Sequence, residues 1–434
     1  MAFFLIRSAF LLFQVLISLL KLKKSNFKRN LLYTTKDATS EHLIPVTVII
    51  PVYNNEEDII KTVENLLVTQ YPQIEFLIVN DGSTDNTADT VIPYFGFEKI
   101  EGSVKVSMRT ERITALYCSE KIPNLLYIEK THGGIADAIN CGINISKFPA
   151  YTVVSPGFFV DKYAVMKLSD IFLKNSSTII SAGVLRVTKS DEDGNLVEFK
   201  KLTDCFTALE CVKTSFLDKF NNFHYATQFN DAGSFALFNK QTVVDCGGYD
   251  TNVLNPHYDL FIRLRAFQLV NNRSCDFVCS QDVVCQTDID VNKKSFLKRL
   301  GRWQRAAGEN IIKGVVPTFF KKFDLHLLAA FFYNLFFEVL YPVFSAVFVL
   351  TLPVLALNNK VSFYISIMCC VTLIFLDVVI SLFCLIFDQY FNESNSKLSL
   401  KYGFCTVLMN LGYKQLMLLR RFLSIFSSKK RYRK

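Results

Sequence analysis

The stretch Val46–Leu67, VTVIIPVYNNEEDIIKTVENLL, decides how this chain folds. Val46 to Ile50 is a continuous apolar run of the length of a strand covered on both faces. Polar residues Tyr53, Asn54, Asn55 and Glu56 follow, and then Ile59, Ile60, Val63, Leu66 and Leu67 recur at the spacing of one helix face. The plan is repeated at once. Ile74 to Val79 reads as a second strand, Asn80-Asp81-Gly82-Ser83-Thr84 as a turn, and a helix is predicted from about Asp85. Leu125 to Ile128 and Tyr151 to Val154 supply two further strands. This alternation predicts a doubly wound α/β sheet from about Pro45 to Ser155, with ligands bound beyond the carboxyl ends of its strands.

The flanks on either side are of another kind. With 434 residues, 50% of them hydrophobic, and a mean hydropathy of +0.26, the chain is too apolar for an ordinary soluble enzyme. Residues 1–20 are apolar apart from Arg7 and long enough to span a hydrocarbon layer of ~30 Å. Lys21, Lys23, Lys24, Lys28 and Arg29 open a basic linker over 21–44; with no small-residue cleavage site before them, they predict an uncleaved anchor and a cytoplasmic domain. Two more spans are expected at 325–357 and 362–387, separated by Asn358, Asn359 and Lys360. Within them Asn334 and Glu338 share a helix face and Asp377 stands alone; polar groups at that depth should face protein or water. An interfacial helix is expected over 306–324. A membrane-associated segment with a basic tail is expected over 399–434, either lying on the surface or crossing it. The chain thus reads as a multi-pass protein of the plasma membrane. The net charge of +9 gathers at the juxtamembrane ends, which favours anionic membrane lipid as a partner and not nucleic acid. Twelve cysteines without paired spacing fit reduced thiols.

Pro51-Val52-Tyr53-Asn54-Asn55-Glu56 and Asn80-Asp81-Gly82-Ser83-Thr84-Asp85 resemble the two nucleotide-binding turns of family 2 glycosyltransferases. The layout resembles the processive branch that makes poly-N-acetylglucosamine, chitin, hyaluronan or cellulose. The resemblance implies a GT-A-like doubly wound sheet over residues 45–305, in the cytoplasm, with N- and C-terminal transmembrane helices. It also implies a nucleotide site in which Asp81 accepts from a uracil ring while Glu56 and the backbone near Pro51 and Tyr53 meet the ribose.

Beyond those turns the resemblance is broken at the positions that carry chemistry. Glu129-Lys130-Thr131-His132-Gly133-Gly134-Ile135-Ala136-Asp137 is similar to the family's third turn, but Ile135 stands where a lysine would face the diphosphate. Lys130, five residues earlier, is the substitute cation on offer. Ser155 and Gly157 stand where the metal-binding carboxylates would be, so no metal is expected at that turn. Asp161, four residues further on, reads as a helix cap. In the register fixed by Cys246-Gly247-Gly248-Tyr249-Asp250, His257 takes the place of the acceptor-site general base, a role that an imidazole can fill. Asp137, Gly233, Arg299, Arg302 and Trp303 match segments that wall the donor and acceptor sugars. Arg299 replaces the family's glutamine. Trp303, the sole tryptophan, suits a sugar platform and a membrane interface equally well. Cys275, Cys279 and Cys285 fit no zinc spacing and read as core.

The expectation is therefore a homologue that has kept the frame and lost metal-dependent turnover, binding a nucleotide, a glycan or an active synthase subunit. The alternative is an active transferase of a sugar such as N-acetylglucosamine from a UDP-sugar to a polysaccharide or glycolipid. In that alternative His257 is the base, and any Mg2+ or Mn2+ requirement belongs to it. A scaffold that binds no nucleotide is the third reading.

Overall fold

The computed structural model describes residues 3–16, 43–101, 107–188, 199, 201–214, 235–288, 304–305, 308–309, 325–358, 360–392 and 400–425. After a short apolar helix α1 (Phe3–Leu16) comes the wound unit. Its elements are β1 (Val46–Val52), α2 (Ile59–Leu67), β2 (Ile74–Asn80), α3 (Thr87–Phe95), β3 (Phe97–Ile100), β4 (Ile113–Ser119), β5 (Leu125–Lys130), α4 (Ile135–Ile145) and β6 (Ala150–Val153). A second half adds β7 (Phe158–Val160), α5 (Ala164–Lys174), β8 (Thr178–Thr188), α6 (Leu202–Thr214), β9 (Ala236–Asn239), α7 (Lys240–Asp245), α8 (Pro256–Val270) and β10 (Asp276–Asp288).

All ten strands join one sheet in the order β3-β4-β5-β2-β1-β6-β9-β8-β10-β7. β1 lies between β2 and β6 and is parallel to both, so the chain reverses its winding direction there. Every residue of β1 is buried, as its apolar run requires. Successive side chains serve opposite faces. Val46, Val48, Ile50 and Val52 pack with Ile59, Val63 and Leu66 of α2 and Val91 of α3. Ile49 packs with Ile139 and Ile143 of α4 and with Leu260, Phe261 and Leu264 of α8. Sealing Ile59, Val63 and Leu66, all at 0% exposure, is worth about 1.5–3 kcal/mol each. That burial fixes where α2 begins, and so where the turn before it lies.

The apolar helices follow. α9 (Leu325–Tyr333) passes through a π-helical segment, Asn334–Leu340, into α10 (Tyr341–Asn358); α11 (Lys360–Asn392) runs back. α12 (Leu400–Leu408) continues through a second π-helical segment, Met409–Tyr413, into α13 (Lys414–Ile425). Phe331–Phe348 and Phe363–Asp388 are long and apolar enough to cross a membrane, whereas α1 is shorter than a span. Outward-facing Phe332, Phe344, Val347, Met368, Val371 and Phe375 give these helices an apolar exterior. Asn334 is 2% exposed and faces protein, as expected. The expected interfacial helix falls largely outside the described residues. α13 packs along α10, with Arg421 donating to Gln304 Oε1 at 2.7 Å.

Candidate functional site

Four turns meet beyond the carboxyl ends of β1, β2, β5 and β6. The first two are stitched together. Asn54 N–H donates to Ser83 Oγ at 3.0 Å, Thr84 N–H donates to Asn54 Oδ1 at 2.7 Å, and Asn55 N–H donates to Thr87 Oγ1 at 3.1 Å. Asn54 has φ +49, a left-handed conformation that asparagine tolerates and that the close approach of the two turns demands. Glu56 Oε2 accepts from Asn86 N–H at 3.1 Å and so ties the first turn to the start of α3. One of its carboxylate oxygens is thus engaged with protein.

Asp81 is the centre of the arrangement and is 2% exposed. Gly133 N–H donates to its Oδ1 at 3.0 Å and Gly134 N–H to its Oδ2 at 2.7 Å. Lys130 Nζ lies 2.5 Å from Asp81 Oδ1 and 2.6 Å from Asp137 Oδ2, and its side chain is 0% exposed. Burial alone would depress the Lys130 ammonium, but the bonds to Asp137 and Asp81 outweigh it and hold its pKa above the ordinary value. Asp137 also accepts from Glu111 N–H at 3.1 Å. A β-carbon on Gly133 would lie 2.5 Å from Asp137 Oδ2, so this turn needs glycine. Lys130 is thus consumed as the bolt between two carboxylates. It does not replace the cation missing at Ile135, which is 49% exposed at the start of α4. Asp137 is buried beneath the turn.

One residue without an expected role completes the mouth. The His132 ring packs on Tyr53 with centroids 4.3 Å apart and planes 32° apart, and its Nδ1 lies 2.9 Å from Asp81 Oδ2. Tyr53 is 42% exposed and the His132 side chain 39%, so the pair presents open ring faces. The signal for it was only a histidine one residue before the glycine pair.

At the fourth turn, Gly157 N–H donates to Thr62 Oγ1 at 2.9 Å, and Gly157 takes φ +81. Asp161 accepts from Tyr163 N–H at 2.9 Å in the turn before α5, whose N-cap is Tyr163. A β-carbon at Gly157 would sit 3.6 Å from Asp58 Oδ2, which brings one exposed carboxylate to this turn from the start of α2. A hydroxyl, backbone and one carboxylate are a poor match for a divalent ion that seeks several charged oxygens. Among the described residues no three His, Cys, Asp or Glu side chains are grouped to hold one.

His257 stands apart, in the first turn of α8. Asn140 of α4 exchanges two 2.8 Å hydrogen bonds with the backbone of Tyr249, whose ring meets His257 edge-on at 5.2 Å. The imidazole Nδ1 is sealed and has no hydrogen-bond partner among the described residues. Burial pushes the His257 pKa down to about 4. Gly233, Arg299, Arg302 and Trp303 lie outside the described residues.

A sheet of this order, with paired polar turns at the carboxyl ends of its central parallel strands, matches the GT-A architecture seen in solved glycosyltransferase structures. The pattern described as Glycosyl transferase family 2 matches residues 47–154. It is 22% identical over 311 residues to the poly-beta-1,6-N-acetyl-D-glucosamine synthase of Staphylococcus epidermidis, covering 71% of this chain and 65% of that one. The Staphylococcus aureus synthase matches at 22% over 312 residues, 70% of this chain and 65% of that one. The chain therefore spans just under two thirds of these relatives. Among solved structures, mannosyltransferase PcManGT from Pyrobaculum calidifontis, in complex with GDP-Man and Mn2+, superposes with a TM-score of 0.52 at 15% identity. The superposition covers 95% of this chain and 99% of that one, and it bears on the fold alone.

Proposed function

We propose that this chain is a membrane-associated family 2 glycosyltransferase homologue that binds a nucleotide or nucleotide-sugar at the Tyr53–His132 mouth and has lost metal-dependent transfer. The observation that carries the reading is the fate of Lys130. The cation nearest the glycine turn is sealed between Asp81 and Asp137, the family's lysine position is an exposed isoleucine, and the fourth turn offers Ser155 and Gly157 in place of paired carboxylates. A departing nucleoside diphosphate takes on one further negative charge, which such a turn does not offset. A base at neutral pH is still present, because burial keeps His257 uncharged, but its depressed pKa makes it a weak one.

In this reading the exposed rings of Tyr53 and His132 stack a base, while the Asp81 carboxylate shapes the glycine turn from below. UDP is the nucleotide we favour, given the N-acetylglucosamine polymer named for the relatives. The glycan, or an active synthase subunit, would then be the second partner, and helices α9 to α11 would hold the complex at the plasma membrane. Purified protein should release no UDP from UDP-N-acetylglucosamine or other UDP-sugars, with or without manganese, while calorimetry detects UDP binding that Tyr53→Ala weakens. Sustained manganese-dependent release would refute the loss of turnover.

One observation favours the active reading, the approach of Asp58 to Gly157. If that carboxylate compensates for the missing pair, UDP release will need Asp58 and will vanish in His257→Ala.

A further inference from the structure

α6 leaves the sheet beside β8 and packs against α11 and α12, away from the nucleotide turns. Arg186 of β8 pairs with Asp388 of α11 at 2.6 Å, and the Phe206 and Tyr413 rings meet at 4.8 Å, so this junction is fixed. Further along, a group of charges is gathered from helices distant in sequence. Arg7 of α1 lies 3.5 Å from Asp377 Oδ1 and 4.0 Å above the Tyr341 ring of α10. Lys414, at the start of α13, lies 2.6 Å from Asp377 Oδ2. Lys213, near the end of α6, is 7% exposed and makes no hydrogen bond or ion pair among the described residues, although Asp377, Lys414 and Arg7 all act on it electrostatically.

Three cations therefore share one carboxylate. Glu210, three residues back along α6 and exposed, also acts on Lys213. Burying an uncompensated charge costs several kcal/mol, so native proteins pair such charges or bring in a counter-ion. Burial, and then the Lys414 charge, depress the Lys213 ammonium below its ordinary value, which marks the strain that a counter-ion would relieve. The surrounding helices expose Phe344, Met368 and Phe375 outward. A ligand entering between them would come from an apolar phase.

We propose that Arg7, Lys213 and Lys414 form a binding site for the phosphate of an anionic phospholipid, inserted where α1, α6, α11 and α13 meet. Phosphate offers several acceptor oxygens to donors arriving from three helices, and the acyl chains match the apolar exterior. The site is independent of the nucleotide reading.

The test uses the full chain, purified in neutral detergent and depleted of lipid, with binding counted by native mass spectrometry and stability followed by thermal unfolding. Phosphatidylglycerol should bind saturably and raise the melting temperature, whereas phosphatidylcholine and inorganic phosphate should do neither. Lys213→Met should weaken phosphatidylglycerol binding about tenfold or more, and Lys213→Arg should retain it. Without lipid, Lys213→Met should melt higher than the parent, because it removes an unpaired buried charge; a purely structural lysine predicts the reverse. Lys213→Gln carries the same expectation if the methionine variant does not accumulate. Asp377→Asn should bind the lipid more tightly while melting lower. Equal binding of phosphatidylcholine, or unchanged phosphatidylglycerol binding in Lys213→Met, would overturn the proposal. So would a Lys213-dependent response to inorganic phosphate alone, which would assign the cluster to a soluble anion.

Discussion

Replacing Lys130 by methionine should unfold the nucleotide turns, and its cost can be worked from the geometry. The ammonium is 0% exposed and touches carboxylates that are 3% and 6% exposed, at 2.5 and 2.6 Å. Methionine fills much the same volume but leaves Asp81 and Asp137 facing each other, out of water and without a counter-charge. Removing one partner from a buried ion pair costs about 3–5 kcal/mol. For a domain of this size each kcal/mol lowers the melting temperature by roughly 2–4 °C, so the loss should fall between about 6 and 20 °C. The chain has its own reporter. Cys141 is 0% exposed, sits one turn after Asp137 on α4, and has its thiol pushed up to about 12 by burial, so it stays inert until α4 opens. Unfolding followed with a thiol-reactive dye, with the modified cysteine identified by peptide mapping, therefore reads this helix directly. Lys130→Met/Asp137→Asn removes the counter-charge deficit and should recover more than half of the loss. A Lys130→Met protein melting within about 2 °C of the parent would refute the reasoning, because a solvated lysine would cost no more than that.

Two other perturbations follow from the same geometry. His257 is held near pKa 4 against an ordinary 6.5, so the unfolded chain takes up the proton first; the stability this supplies is complete above pH 6.5 and is lost as pH falls toward 4. It amounts to at most about 3 kcal/mol, and His257→Gln should flatten the fall in melting temperature between pH 7 and 4.5; parallel curves would show that the imidazole is not sealed. In the favoured reading, Ile135→Lys, Ser155→Asp and Gly157→Asp together should confer manganese-dependent UDP release, despite a backbone penalty of about 1 kcal/mol for a side chain at φ +81. A folded triple variant that still releases nothing would mean that these positions are not what arrests transfer.

The central strands and the turns that follow them were legible because burial leaves a plain mark. β1 is apolar throughout since both faces are covered, and the expected second strand, Ile74 to Val79, ends one residue short of the observed Asn80. The far half of the sheet was not legible. β9 is four residues long, and β8 and β10 pair in parallel between partners about a hundred residues apart, such as Thr188 and Asp288, a register that no local pattern encodes. Residue types pointed to the turns that meet beyond the strand ends but not to the use made of each charge. Lys130 read as a free cation and Asp81 as an open acceptor, because a sequence shows which groups are near one another along the chain and not which of them neutralise each other across 49 residues.

That cross-chain pairing changes what the glycine turn can do. The first turn of α4 points N–H groups at a spot that favours an anion, as helix starts do. In this chain the spot is taken by the Asp81 carboxylate, which receives Gly133 N–H, Gly134 N–H and the Lys130 ammonium together. A ligand phosphate would have to displace a carboxylate that is already fully bonded, and Ile135 offers it nothing in return. Recognition in the favoured reading then falls to the open Tyr53 and His132 rings, where stacking contributes about 1–3 kcal/mol per base. Contacts of that size support weak nucleotide binding, and they act on the base and not on the diphosphate whose departure would complete a transfer. In that reading the arrangement favours holding a nucleotide over splitting one, and the same substitutions that leave the diphosphate without a cation leave the base contacts intact.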